Sequence, residues 1–206
     1  MTLWKRLRRW QARRALKEPA CSYLFDTPAE QEWISIDCET SNLNPKVAEI
    51  LSIAAVPVCG NRICRSQALY LKIRPRKPIS PGSIPIHLLR EQDLADGLDI
   101  NEALDQLLRF IGSCPLLGYY VEFDLALLNR ALHSRLGIDL PNEHIEVSGL
   151  YYDRKVSAYR PEVDLSLTAI LQELDLPDLP RHDPINDAVL AAMIFLKLRL
   201  LKRPSS

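Results

Sequence analysis

Asp37 and Glu39 close the run Trp33-Ile34-Ser35-Ile36-Asp37-Cys38-Glu39-Thr40, an apolar stretch that ends in two carboxylates. Residues two apart in an extended strand point the same way, so the spacing predicts Asp37 and Glu39 on one face, with Ile36 and Cys38 turned into the core. Adjacent carboxylates repel each other and lose hydration, and a divalent cation is the obvious compensation. Carboxylate oxygens suit Mg²⁺ or Mn²⁺, and no Cys/His cluster argues for zinc. Asp124 and Asp187 each fall in the first turn of a predicted helix, where the dipole favours an anion, and His182 stands just ahead of the second. Each also has a plainer reading: a solvated strand end, two helix N-terminal charges, a surface or capping histidine.

The elements that must position these residues follow from periodicity. The strand at Trp33 is followed by a second apolar, β-branched run over Ile50 to Val58. Gly60-Asn61 signals a turn before Arg62 to Cys64 and Ala68 to Ile73, which alternate as strands do and predict a three-stranded antiparallel meander. Pro75 to Pro85 reads as a loop, with a short helical piece from Ile86. Asp99 caps a helix to about Ile111; Pro115 to Tyr119 is a short strand feeding a helix through Asp124, Leu128 and Leu132 that Gly137 ends. Ile145 to Leu150 is expected as another strand, and Leu165 to Leu174 as a helix. Asp183 as cap and Pro184 at the first helical position open the last helix. The expected class is α/β, a mixed sheet with helices packed on it.

The 206 residues suffice for one compact domain with a sizeable core. Net charge is zero, yet seven basic side chains (Lys5, Arg6, Arg8, Arg9, Arg13, Arg14, Lys17) face one acid within residues 1 to 20, leaving 19 basic against 25 acidic beyond them. The opening segment lacks the apolar core of a secretory signal. Leu3, Leu7 and Trp10, with Trp4 beside them, predict a basic amphipathic helix. Its apolar side could pack on the body or a partner such as a polymerase; a nucleic-acid patch and a membrane-surface anchor are the other readings. No apolar run is long enough for an integral membrane segment. Five cysteines without Cys-x-x-Cys spacing read as reduced thiols of a cytoplasmic protein. The expected division is a helical extension over residues 1–29, a catalytic domain over 30–202 and a tail over 203–206.

Taken together, Asp37-x-Glu39, then Gly118-Tyr119-Tyr120-Val121-Glu122-Phe123-Asp124, then His182-x-x-x-x-Asp187 resemble the three motifs of the DEDDh (DnaQ-like) exonuclease family, which includes the proofreading subunit of bacterial replicative polymerases. Thr40 after the first pair, Phe123 before the second-motif acid and Ile86-His87 between motifs fit the same pattern, over roughly residues 30 to 200. The resemblance implies a ribonuclease H-like fold and a 3′→5′ exonuclease that releases nucleoside 5′-monophosphates from single-stranded DNA ends. It also implies two Mg²⁺ or Mn²⁺ ions held by Asp37, Glu39, Asp124 and Asp187, with His182 taking the proton of the attacking water. Two cations about 4 Å apart can clamp the attacking and leaving oxygens of a phosphodiester. Thr40, Leu43, Phe123 and His87 would meet the substrate, Leu43 offering an apolar face to a base or serving as ordinary packing.

The chain departs from the family at three places. Asn42 stands where the family usually has Gly, and Asn is the residue that best tolerates a left-handed backbone in its stead. Tyr119-Tyr120 replaces a common His-Asn, and Pro184 a common Ala. The same chemistry on RNA ends, and a non-catalytic nucleic-acid-binding scaffold, are the alternative functions.

Overall fold

The computed structural model describes residues 3–78, 89–155 and 163–201. Helix α1 (Leu3–Ala15) and a 3-10 turn (Pro19–Phe25) precede the sheet. The first four strands are β1 (Glu32–Thr40), β2 (Ile50–Cys59), β3 (Arg62–Ile63) and β4 (Leu69–Lys72). Then come α2 (Glu91–Leu94), α3 (Ile100–Ile111), β5 (Leu116–Gly118), α4 (Val121–Leu136), β6 (His144–Glu146), α5 (Val147–Lys155), α6 (Leu167–Glu173) and α7 (Pro184–Leu200). The predicted loop beyond Pro78, Ile86-His87 and the 203–206 tail lie outside the described residues.

The strand order is β3-β2-β1-β5-β6, with β4 also on β2. Strand β1 pairs antiparallel with β2 and parallel with β5, so the sheet is mixed and β1 is enclosed on both edges. The expected meander is present with its third strand interrupted: β3 covers one end of β2 and β4 the other, separated by the turn Arg65–Gln67. Ile34 and Ile36 face one core, with Leu104, Leu107 and Leu108 of α3 and Leu125, Leu128 and Leu132 of α4. The opposite core gathers Val58 and Leu117 from the sheet with Tyr151, Ile170, Leu190, Ile194 and Phe195. Nearly every position of β2 is buried, as a strand covered on both faces requires.

One expectation needs correction, and one departure from the family pattern finds its reason. The strand expected over Ile145 to Leu150 ends at Glu146, and α5 begins at the next residue. Val147 and Tyr151, four apart, are both buried, a helical spacing that a six-residue window is too short to display. Asn42 is not left-handed. Its Oδ1 accepts the N–H of Asn44 at 2.8 Å, so the residue supplies a side-chain turn instead of glycine-like backbone.

Helix α1 docks by its polar side. Arg9 donates to the carbonyls of Pro141 and Asp26, each at 3.1 Å, and lies 5.5 Å from the Phe25 ring, while Ala12 and Leu16 pack on the first core. Trp4, Leu7 and Trp10 are exposed.

Candidate active site

The acids converge on the C-terminal end of β1. Ile34 and Ile36 occupy one face of the strand, which puts Ser35, Asp37 and Glu39 on the other, towards α7. Ser35, fully buried, fixes that helix by donating its hydroxyl to the Ala188 carbonyl at 2.6 Å. The neighbouring Asp187 is thereby held against β1. Carboxylate oxygens of Asp37, Glu39 and Asp187 lie within 4.8 Å of one another. The β1–β2 register shifts between Glu39 and Thr40, and such a bulge re-aims the side chains beside it.

Asp124 enters from the other neighbour. Strand β5 pairs with β1 only at Ile34 and Ser35, so the β1 backbone beyond has no strand partner on that edge. Asp124 fills the gap: its Oδ1 accepts the Cys38 N–H at 3.0 Å, between the two acids of β1. The turn into α4 is tight. A Cβ on Gly118 would sit 2.9 Å from the Ile36 carbonyl and 3.1 Å from Val121. Tyr120 then takes a left-handed backbone, φ 57°, so its side chain does not cap α4. Glu146 does so from β6, its Oε2 accepting the Val121 N–H at 2.8 Å.

Asp183 caps α7 by accepting the N–H groups of Ile185 and Asn186. His182, left-handed at φ 63°, turns its own N–H onto Asp187 Oδ2 at 3.0 Å. Its imidazole is solvent-exposed. Thr40 donates its hydroxyl to the Asn42 carbonyl, Leu43 is 74% exposed beside it, and Phe123 is half-buried on the first core. His87 lies outside the described residues.

The electrostatics are those of an anion cluster short of counter-charge. Burial, then Asp124, Asp187, Glu39 and Asp183, hold Asp37 well above the ordinary carboxylate range. Burial, then Asp187 and Asp183, push Glu39 up to about 7. Burial pushes Asp124 up to about 8 against the pull of its Cys38 hydrogen bonds, and raises Asp187 against the His182 N–H and Arg181. The oxygens of Asp37, Glu39 and Asp187 meet, Asp124 stands beside them outside that group, and an all-oxygen set of acids that resist ionising together fits hard divalent cations.

Several contributors carry no local signal. Glu146 acts on α4 from 25 residues away. Tyr119 is anchored by its hydroxyl on the Leu165 carbonyl at 2.9 Å and meets Tyr120 edge-on at 4.7 Å. Asp183 was legible as a cap, but its like charge on Glu39 depends on the tertiary approach of α7 to β1.

A mixed sheet covered by helices on both faces, with acids meeting at the end of its central strand, is the ribonuclease H-like arrangement of nucleases. The chain belongs to the exonuclease family RNase_T, whose model matches residues 34–195. It is 27% identical over 183 residues to a DNA polymerase III PolC-type protein of Thermotoga maritima, covering 87% of this chain and 13% of that protein. It is 24% identical over 187 residues to the DNA polymerase III subunit epsilon of Pasteurella multocida, covering 84% and 70% respectively. The fold matches exonuclease X in complex with 5′ overhanging duplex DNA, with a TM-score of 0.62 at 24% identity over 81% of this chain and 90% of that one. It also matches exonuclease I of E. coli in complex with a dT13 oligonucleotide, with a TM-score of 0.67 at 16% identity over 83% and 41%. The chain thus spans a small part of the PolC-type relatives and most of the epsilon relative.

Proposed function

We propose that residues 30–202 form a two-metal-dependent 3′→5′ exonuclease domain that removes nucleoside 5′-monophosphates from single-stranded DNA ends in the cytoplasm. The observation that carries this reading is the approach of the Asp37, Glu39 and Asp187 oxygens within 4.8 Å. The DNA complexes of exonuclease X and exonuclease I, proteins of like fold, support DNA as the polymer.

Asp37, Glu39 and Asp187 would hold the Mg²⁺ or Mn²⁺ ions, with Asp124 supporting them from the Cys38 side. When bound, the cations stabilise negative charge on the attacking and leaving oxygens. The exposed His182 imidazole takes a proton from the water that attacks the terminal phosphorus, as a ring nitrogen with a free lone pair can. The bond from phosphorus to the 3′ oxygen breaks, and that oxygen gains a proton as the new 3′ hydroxyl. Thr40, Leu43 and Phe123 hold the terminal nucleotide, Leu43 against its base.

The test incubates 3′- and 5′-labelled DNA and RNA oligomers with the protein in Mg²⁺, Mn²⁺ or EDTA, alongside Asp187→Ala. Stepwise, metal-dependent release of mononucleotides from the 3′ end of DNA, lost in the variant, is expected. Equal release by Asp187→Ala, or none from any polymer, would reject the reading.

A further inference from the structure

Helix α1 presents two faces of different kind. Arg9, Ala12 and Leu16 look towards the body. Trp4, Leu7 and Trp10, three apart, occupy an arc of roughly 120° on the other side. They are 66%, 51% and 54% exposed. An amphipathic helix that served only to close its own core would be turned the other way. The rim of this stripe is cationic: Arg8 stacks over Trp4 at 4.6 Å and Arg14 over Trp10 at 4.7 Å. Residues 1–17 hold seven basic side chains and no acid.

Substrate does not account for the stripe. The helix docks through Asp26, Phe25 and Pro141, ahead of β1 and β6, whereas the acids sit at the far end of β1. Seven residues of strand separate Glu32 from Glu39, roughly 20 Å. A folded partner is poorly matched too. Three side chains on one helix offer roughly 400 Å², about half of what each side of a stable protein interface buries. Like charge along the rim opposes pairing with the same helix of a second copy. A bilayer needs no matching groove: indoles settle at headgroup depth and guanidiniums reach anionic phosphates while apolar stems stay buried.

We infer that α1 is a peripheral membrane anchor that lays Trp4, Leu7 and Trp10 into the headgroup region of an anionic phospholipid bilayer, with Arg8, Arg13 and Arg14 binding its phosphates. The inference does not rest on the nuclease reading. It is tested by flotation of the full chain with vesicles of phosphatidylglycerol and phosphatidylcholine in equal parts, or of phosphatidylcholine alone, at low salt. Two variants are compared, Trp4→Ser with Trp10→Ser and Arg13→Glu with Arg14→Glu, all at exposed positions and both checked for an unchanged circular dichroism melt. The wild type should float with the anionic vesicles only, and each variant should lose binding by about tenfold or more. Absence of flotation, equal flotation with neutral vesicles, or binding retained by either variant overturns the inference. So does a tenfold loss of oligonucleotide affinity in EDTA caused by the same substitutions, which would make α1 a nucleic-acid element. A wild-type dimer that becomes monomeric in the tryptophan variant would assign the stripe to a second copy and overturn it equally.

Discussion

The Cys38 N–H and the Asp124 carboxylate meet at 3.0 Å, and this contact sets the buried acid of α4 between the two acids of the central strand. Asp124→Asn keeps an acceptor for that N–H while removing one negative charge from the cluster. The substitution should lower exonuclease turnover by about 10- to 100-fold, the usual range for a group that supports a metal indirectly. Thermal stability in EDTA should rise, because burial disfavours the ionised carboxyl. Turnover equal to wild type would remove Asp124 from the metal-holding set.

Stability of the metal-free protein should fall with rising pH. Glu39 and Asp124 bind their protons more tightly in the folded chain, up to about 7 and about 8, than in the unfolded one. The stability this confers is complete below the ordinary carboxylate value of about 4, and is lost as pH climbs through the folded values. Melting in EDTA should therefore drop between about pH 5 and about pH 9, by on the order of a few kcal/mol. Mn²⁺ should flatten the slope by binding the ionised form; a Tm that rises with pH in EDTA would contradict the electrostatic account.

Ser35 ties α7 to β1 from beneath the acids. Ser35→Ala should cost about 1 kcal/mol in chemical denaturation, the net worth of an ordinary hydrogen bond. Because Ala188 follows Asp187, the variant should also bind Mn²⁺ several-fold more weakly by calorimetry. Loss of stability with unchanged metal affinity would mean that the bond braces the helix without aiming its acid.

Gly118→Ala places a methyl group against backbone at 2.9 Å, not against a side chain free to swing away. The strand-to-helix turn must then open, at a cost of about 1–3 kcal/mol typical of overpacking. Urea titration measures this directly, and a neutral substitution would show that the turn is looser than the contacts indicate.

Much of the site was readable because it depends on short periods. A two-residue repeat placed Asp37 and Glu39 on one face, and the Asp183-Pro184 pair marked the start of α7 correctly. What escaped depends on tertiary contacts or on runs too short to carry a period. Three residues of β6 cannot display alternation, and α5 begins where the expected strand was to continue. The left-handed backbones at Tyr120 and His182 are not marked by a glycine that would announce them, while Asn42, which could tolerate one, does not adopt it. The rotation of α1 was equally hidden, since amphipathicity reveals which face is apolar but not which face is covered.

Asp187 lies in the opening turn of its helix, one oxygen already committed to the His182 N–H, while Asp37 and Glu39 lie on a strand paired with β2 over its whole length. Fraying of that single turn would carry one carboxylate away and leave the other two in place. Escape of a cation would then be timed by the end of α7, with no need for the sheet to yield.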